Sequence, residues 1–294
     1  MIKIQKGDVV DIIAPAGFTG PDRLVKAVAD LAKWGLTART HIDFTSFHPY
    51  HSDEDEVRFN DLKNALFSDA KIIWCLRGGY GSARLLEKLS KIKKPKTPKI
   101  LIGYSDITAL HLFLNQKWGW ETIHGPMITS FGDVRFEKKC LAEIKNLLLA
   151  GKEQKELKLT PLNPSAESLK TIISGKLIGG NLSVVQSLIG TKYELKAKDK
   201  IIFLEDVNEK GYQVDRMLNQ LCMGRAFINA KAIVLGDFTG GAEPSGENFV
   251  PFALTRFALM QKIPVFRSNE FGHGNINRPL ICGKKYSINK NRMK

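Results

Sequence analysis

The first half of the chain alternates short apolar runs with amphipathic patterns of helical period, and this alternation restricts the fold more than any other feature. Strands are predicted at 8–15, 36–40, 71–78, 99–104 and 121–126, and helices at 21–35, 55–69, 81–91 and 107–117. Strands that alternate with helices form a parallel sheet with helices on both faces. Ligands of such sheets bind at the carboxyl ends of the strands. The sequence therefore predicts an α/β domain with its site at that edge.

The pattern changes after residue 150. Residues 151–175 are polar and weakly periodic and contain Pro161 and Pro164, so we predict a linker there. Beyond it, 177–191 predicts a turn and a helix, and further strands and helices are predicted at 200–206, 212–227, 232–240, 251–261 and 263–268. The predicted organisation is an N-terminal domain over 1–150 and a smaller mixed α/β domain over 176–294, which is an ordinary domain size.

A formal charge of +14 at pH 7 favours an acidic partner, which could be nucleic acid, a membrane surface or a small anionic substrate. Much of the excess falls in residues 88–100 and 284–294, where proline and polar residues predict solvated loops. Neither zinc-finger spacing nor an aromatic-rich RNA-binding signature accompanies the charge. We therefore predict no nucleic-acid partner.

The four cysteines are widely spaced: Cys75, Cys140, Cys222 and Cys282. They form no CxxC pair, which argues against a zinc site or a disulfide framework and favours a reducing compartment. The N-terminus lacks the layout of a signal peptide, and no apolar run approaches the roughly 18 residues of a membrane span. These features predict a cytoplasmic protein with no membrane partner.

Ser105 stands in GYSDITALH, where an apolar run ends and a helical pattern begins. Ser105 or Asp106 can cap that helix, because both residue types accept hydrogen bonds from its first N–H groups. Alternatively, a tight strand-to-helix turn presents Ser105 as a nucleophile, beside N–H groups that stabilise an oxyanion. A second glycine turn, RGGYGS at 77–82, also follows a strand. We expect the two turns to lie close together.

A serine nucleophile requires a base, normally an imidazole held by a carboxylate. His273 lies between Gly272 and Gly274, which allow a sharp backbone path and leave the ring accessible. His124, which follows a strand and precedes Gly-Pro, is the second candidate. A structural role is the alternative for both.

The remaining histidines suit a base less well. His111 lies on the predicted helix, on the side that faces away from Ser105. His41, His48 and His51 stand among acidic residues and could be drawn as a metal site, but nothing fixes ligand geometry there. We predict a solvated acidic loop for that stretch.

The carboxylate that would orient the base is predicted at the end of the strand over 200–206. Glu205, Asp206 and Glu209 are the candidates, and spacing alone does not choose among them. Neighbouring strand residues point to opposite faces, so one of the first two should face a cleft. The order serine, acid, histidine is that of α/β-hydrolases, yet GYSDI lacks the second glycine of G-x-S-x-G and indicates another scaffold.

Six blocks of the sequence together resemble one family. The blocks read RGGYGSARLL, GYSDITALH, IHGPM, IGGNLSVVQSLIGT, IIFLEDVNEKGYQVDRML and FGHGNIN, and the resemblance extends over about residues 8–285. In this order they are similar to the LD-carboxypeptidases, the serine peptidase family of muramoyltetrapeptide carboxypeptidase and the microcin-immunity peptidases. The resemblance implies a Rossmann- or flavodoxin-like parallel-sheet N-terminal domain, a smaller C-terminal domain, a site between them and a homodimer.

The resemblance also implies a role for each candidate. It makes Ser105 the nucleophile, Glu205 the orienting carboxylate and His273 the general base. The backbone N–H groups of Gly79 and Asp106 become the oxyanion hole. The implied activity is cytoplasmic removal of the terminal D-alanine from murein tetrapeptides during cell-wall recycling, with neither a metal nor another cofactor.

A carboxypeptidase must also bind the free carboxylate of its substrate, and the basic charge balance suits an anionic peptide. Arg77, beside the glycine turn, is a candidate clamp, with a fold-stabilising ion pair as the equal alternative. Within the family, an immunity peptidase would cleave a peptidyl-nucleotide antibiotic with the same triad. Outside it, a non-catalytic protein would bind anions or nucleotides at the glycine turns, although a Walker lysine and GxGxxG are absent from the sequence.

Overall fold

The computed structural model describes residues 2–45, 48–133, 138–151 and 154–294. The chain divides into two compact units. The first comprises Met1–Glu153 and Arg278–Leu280, and the second comprises Gln154–Asn277 and Ile281–Lys294. Within the described ranges, every helix is too short or too polar to cross a membrane.

The first unit is built on a parallel sheet. Its strands in chain order are β1 (Val9–Ile13), β2 (Thr37–Thr40), β3 (Ile72–Cys75), β4 (Ile100–Gly103) and β5 (Thr122–His124). They lie side by side in the order β5-β4-β3-β1-β2, each parallel to its neighbour, and a late strand, Leu280–Cys282, lies beside β5. All residues of β3 and β4 are buried, as expected where both faces of a parallel sheet are covered.

Helices connect these strands, which confirms the predicted α/β class for this half. The α-helices are α1 (Pro21–Lys33), α2 (Asp55–Phe67), α3 (Leu86–Leu89), α4 (Thr108–Phe113) and α5 (Lys138–Leu149). Short 3₁₀ turns lie at Ser82–Leu85, Ser105–Ile107 and Ile128–Ser130, and a π turn lies at Leu114–Trp118. Helix α1 buries Leu24, Ala27 and Leu31, a spacing that places the three side chains on one face.

The second unit contains a mixed sheet, as predicted. Its strands are β6 (Leu157–Lys158), β7 (Thr160–Pro161), β8 (Ile173–Asn181), β9 (Lys200–Val207), β10 (Ala232–Thr239), β11 (Val265–Arg267), β13 (Lys285–Asn289) and β14 (Arg292–Met293). The strand Leu280–Cys282, which lies in the other sheet, is β12. The spatial order is β6-β14-β13-β8-β9-β10-β11-β7, with β8 to β11 parallel and the outer strands antiparallel. Its helices are α6 (Pro164–Glu167), α7 (Leu182–Ser187), α8 (Gly211–Met223) and α9 (Val250–Met260).

The stretch 151–175, predicted as a linker, belongs largely to the second unit. Strand β6 pairs with β14 and β7 pairs with β11. Asn163 is buried, and its side chain accepts the N–H of Ala166 at 3.1 Å and donates to the carbonyl oxygens of Ala258 and Ile263. The polar residues that suggested a linker therefore bond to partners about 95–100 residues further along the chain.

The double glycine at 179–180, which suggested a turn, lies inside strand β8. A Cβ atom on Gly179 would overlap the carbonyl oxygen of Phe203 in the adjacent β9, and its φ is +146°. Glycine is needed there because two strands approach closely, so the prediction of a turn was wrong.

The basic C-terminal stretch 284–294, predicted as a solvated loop, forms the antiparallel pair β13 and β14. Tyr286, Ile288 and Met293 are buried, whereas Lys285 and Arg292 are exposed. This alternation has the period of a strand with one buried face, so the prediction of a loop was wrong.

Candidate active site

Ser105 follows the extended residue Tyr104 directly after β4 and opens a helical turn. Its φ is +62°, in the left-handed region. Such a conformation costs a non-glycine residue about 1–3 kcal/mol and is concentrated at functional sites. The side chain is half-buried, so it is partly open to solvent. A strained, accessible serine on a strand-to-helix turn is the arrangement of a nucleophile.

The two glycine turns lie close together, as predicted from the ends of β3 and β4. A Cβ atom on Gly78 would lie 2.8 Å from the Cβ of Ser105 and 2.9 Å from its Oγ. Gly79 has a φ of +116°, and a Cβ there would lie 3.1 Å from the Cα of Gly17. The Gly17 N–H donates to the carbonyl of Gly78 at 3.0 Å. Only glycines allow the turn to pack this closely against the serine.

Asp106 does not cap the helix that it begins. No side-chain capping bond is present at the start of this described helical turn. Instead, Asp106 Oδ2 accepts the backbone N–H of Ser82 at 2.7 Å, and the Ser82 hydroxyl donates to the Asp106 carbonyl at 2.5 Å. The capping interpretation was therefore wrong for Asp106, whose carboxylate binds the neighbouring turn.

Glu205 and His273 are brought together within the second unit. Glu205 Oε2 lies 2.5 Å from Nδ1 of His273; the Glu205 side chain is fully buried and that of His273 is 13% exposed. Burial lowers the pKa of His273, but the charge of Glu205 and its hydrogen bond more than offset this effect, so the net pKa is raised. A carboxylate on Nδ1 orients the ring so that Nε2 is the atom available for proton transfer.

Asp206, the other candidate acid, binds a different set of groups. Its carboxylate accepts the Asn181 amide at 2.7 Å, the N–H and hydroxyl of Ser183 at 2.9 and 2.6 Å, and its neighbour's N–H, from Val207, at 2.9 Å. Burial and the charge of Glu205 raise the pKa of Asp206 to about 6. The geometry thus places Glu205, and not Asp206, against His273.

The loop that carries His273 packs against Asp237 of β10. Gly272 has a φ of +125°, and a Cβ on Gly274 would overlap Oδ2 of Asp237. Both glycines are therefore required for this approach. The sequence patterns predicted no role for Asp237. The available signal was the Gly-Asp pair that interrupts the apolar run 232–235 near the end of a strand.

Both halves of the sequence match known domains. The LD-carboxypeptidase N-terminal domain matches residues 10–125, and the LD-carboxypeptidase C-terminal domain matches residues 174–288. These matches cover well over half of the 294 residues. The chain belongs to the LD-carboxypeptidase family. The resemblance drawn from the six sequence blocks is thereby confirmed.

Similar proteins extend over nearly the whole chain. A Rickettsia conorii protein named as a candidate carboxypeptidase is 41% identical over 288 residues, which are 96% of this chain and 88% of that protein. The murein tetrapeptide carboxypeptidase of Pseudomonas aeruginosa is 32% identical over 295 residues, 97% of this chain and 94% of its own. The crystal structure of muramoyltetrapeptide carboxypeptidase from Oxalobacter formigenes is 28% identical, with a TM-score of 0.84 and 97% of both chains covered. A structure of MccF with glutamyl sulfamoyl guanosine, 21% identical with a TM-score of 0.81, covers 99% of this chain and 96% of its own and shares the fold.

Arg77 is exposed beside the glycine turn of this LD-carboxypeptidase. Its Nη1 donates to the carbonyl oxygen of Phe18 at 2.8 Å. No acidic side chain in the described part of the chain pairs with it. The alternative of a fold-stabilising ion pair thus lacks a partner there.

The other histidines lie away from the Glu205–His273 pair in sequence and belong to the first unit. His111 is buried, with Nδ1 2.8 Å from the Thr122 hydroxyl and Nε2 2.9 Å from the Gly103 carbonyl, and burial lowers its pKa to about 3. His124 is also fully buried, with its ring centroid 5.9 Å from that of Tyr104. Among the described residues, no group of three or more His, Cys, Asp or Glu side chains has the arrangement of a metal site.

His51 differs from the prediction of a solvated loop. It is only 5% exposed, and its ring lies 5.1 Å from that of Tyr80 in the glycine turn. Residues 46 and 47 of the same stretch lie outside the described residues.

Proposed function

We propose that this protein is a serine-type LD-carboxypeptidase that hydrolyses the L,D peptide bond before the terminal D-alanine of murein tetrapeptides, with Ser105, Glu205 and His273 as its catalytic triad. The observation that carries the proposal is the 2.5 Å contact between Glu205 Oε2 and His273 Nδ1. The names of the Pseudomonas and Oxalobacter relatives support the substrate.

The proposed reaction has two steps. Ser105 Oγ attacks the carbonyl carbon of the scissile bond while its proton passes to Nε2 of His273, and Glu205 stabilises the resulting imidazolium. His273 then protonates the amine of D-alanine, which leaves as the C–N bond breaks. In the second step His273 takes a proton from water, the hydroxide attacks the acyl-enzyme, and Ser105 regains its proton as the peptide carboxylate departs.

The oxyanion of each tetrahedral intermediate is proposed to bind the backbone N–H groups of Gly79 and Asp106. Two features support this assignment: the Gly78–Gly79 turn packs against Ser105, and Asp106 lies second in the helical turn, where backbone N–H groups lack an intrahelical acceptor. Arg77 is proposed to bind the substrate's terminal carboxylate, since it is an exposed residue next to this turn.

The decisive assay offers three compounds to the purified protein. Murein tetrapeptide ending in D-alanine should release D-alanine, and the same peptide ending in L-alanine is the matched control for stereochemistry. An aminoacyl sulfamoyl nucleoside tests the immunity-type reaction. Faster cleavage of the nucleoside than of the tetrapeptide would indicate an immunity-type peptidase. If no compound is cleaved, a non-catalytic binding protein would be favoured.

We also propose a homodimer in the cytoplasm. The four cysteines form no disulfide, which agrees with a reducing compartment. Exposed apolar side chains on α8 and α9 support self-association; they are Tyr212, Met223, Phe252, Leu259 and Met260. Cell fractionation, with markers for each compartment, tests the location.

Phe252→Asp should split the proposed dimer. Phe252 is 68% exposed and lies seven residues before Leu259, on the same face of α9. Wild-type protein should sediment at about twice the chain mass of 32.9 kDa, and the variant at that mass. A wild-type protein that sediments as a single chain at micromolar concentration would contradict the homodimer.

A further inference from the structure

The carboxylate of Asp106 ties the nucleophile turn to the glycine turn. Its Oδ2 accepts the Ser82 N–H at 2.7 Å, and the nearby Gly81 N–H favours the negative charge of the carboxylate. The Ser82 hydroxyl in turn donates a hydrogen bond of 2.5 Å to the backbone carbonyl oxygen of Asp106. Asp106 is 5% exposed and Ser82 is fully buried, so water does not compete for these bonds. Two hydrogen bonds therefore link Asp106, the residue after Ser105, to the end of RGGYGS.

His51 and Arg58 pack closely against Gly81 in the same glycine turn. A Cβ atom on Gly81, whose φ is +123°, would lie 2.5 Å from His51 Cδ2 and 2.9 Å from Arg58 Nη1. Arg58 is 2% exposed; it donates to the carbonyl oxygen of Pro15 and, through Nε at 3.1 Å, to that of Asp53. The turn thus contacts two buried side chains as well as the Asp106 carboxylate.

The surroundings of Asp106 raise the pKa of its carboxyl above the ordinary value. Burial is the largest cause of this rise in pKa, and the donors of Ser82 and Gly81 and the positive charge of Arg58 offset only part of it. The Ser82 N–H requires an acceptor, and a carboxylate oxygen of Asp106 supplies it.

We propose that the side chain of Asp106 is a positioning residue for the oxyanion hole. The inference rests on the proposed function, in which the N–H groups of Gly79 and Asp106 bind the oxyanion. The N–H groups of Gly79 and Asp106 lie on different turns. The Asp106 carboxylate joins the two turns by binding Ser82, which is three residues after Gly79. Its hydrogen bonds set the spacing of the two donors, which must match the developing oxyanion.

Asp106→Asn tests this role. The Asn amide has one accepting oxygen, so it can keep the Ser82 N–H only by placing its NH₂ group towards the Gly81 N–H, and we expect the two turns to separate. We expect kcat for D-alanine release, and the rate at which a fluorophosphonate labels Ser105, to fall about 10- to 100-fold, because both reactions need the oxyanion donors. KM should change less than about threefold, since ground-state binding does not use these donors. The acid limb of the pH–rate profile should not move, because it belongs to His273.

Asp61→Asn is the matched control, since Asp61 is half-buried in α2 of the same unit and binds neither turn; it should label like wild type. If Asp106→Asn does not fold, Ser82→Ala, which removes only the hydroxyl bond, should lower the labelling rate about 3- to 10-fold. A variant with a lower Tm but wild-type labelling and kcat would show a structural role and overturn the inference.

The labelling reaction separates this inference from the substrate assignment. Wild-type protein that is labelled but releases no D-alanine would overturn the murein substrate, and the Asp106→Asn labelling rate would still decide the positioning role. Protein that is neither labelled nor active would overturn both.

Discussion

Ser105→Ala is expected to lower kcat by about a million-fold, the effect of removing the nucleophile from a serine peptidase. The reason is chemical: the Oγ atom that would form the acyl-enzyme is lost, while the backbone donors of Gly79 and Asp106 remain. Substrate binding should persist, so calorimetry with murein tetrapeptide should give an affinity within about tenfold of the wild-type KM. Activity near wild type would reject Ser105 as the nucleophile.

Ser105→Gly supplies a control that separates the hydroxyl from the backbone. Ser105 holds a φ of +62°, which glycine adopts without a steric penalty. The glycine variant should be as inactive as the alanine variant but more stable than wild type by about 1 kcal/mol. Thermal unfolding of the three proteins checks this order. A glycine variant less stable than wild type would show that the serine side chain stabilises the turn.

The proximity of the two glycine turns was predictable from local patterns. Apolar runs ending in RGG and GYS predict strands, and strands β3 and β4 pair in parallel with Ile72 opposite Ile100. Because parallel neighbours end at the same edge, the residues that follow them meet. The relation between Ser105 and Gly78 therefore depends only on strand order and on the length of the runs.

The double glycine of β8 and the partner of Asp106 were not predictable in the same way. Glycine is needed at position 179 because Phe203 of another strand passes close to it. The residues near Gly179 in sequence do not indicate that Phe203 lies there. Asp106 is a residue type that often caps helices, yet its carboxylate accepts the backbone N–H of Ser82, which lies 24 positions earlier. In both cases a tertiary contact outweighs the local preference of the residue type.

The choice between Glu205 and Asp206 was predictable only in part from the sequence. Alternation along β9 predicts opposite directions for the two side chains but does not say which face is which. The contacts of each residue answer that question: Asp206 receives donors from Asn181 and Ser183 at the start of α7, and Glu205 receives His273 from the loop after β11. The two carboxylates should therefore respond differently to loss of charge.

Glu205→Gln is expected to lower kcat by about 10⁴-fold, as seen when the acid of a serine triad becomes an amide. The amide NH₂ group can donate to Nδ1 of His273, which leaves the proton on Nε2. An Nε2–H cannot accept the proton of Ser105. Steady-state kinetics with murein tetrapeptide measure the loss. A Glu205→Gln variant within about tenfold of wild type would reassign the acid.

The same substitution should move the pH dependence. His273 must be neutral to act as a base, and Glu205 raises its pKa above the usual 6.5. Wild-type kcat/KM should therefore fall as the pH drops through a value above 6.5. In Glu205→Gln the charge and the hydrogen bond are lost while burial still opposes protonation, so the acid limb should move to lower pH. An unmoved limb would show that another group controls it.

Asp206→Asn is the matched comparison, one residue away on the same strand. Its carboxylate accepts four hydrogen bonds within the second unit, and an amide would present NH₂ to some of those donors. We expect a loss of about 1–3 kcal/mol in the free energy of unfolding, but a fall in kcat of less than about tenfold, because Asp206 does not touch His273. Its charge also raises the pKa of His273, so a small downward movement of the acid limb should accompany the change. The reverse ranking of the two variants in kcat would exchange the roles of Glu205 and Asp206, since only the acid that holds Nδ1 can fix which nitrogen of His273 carries the proton.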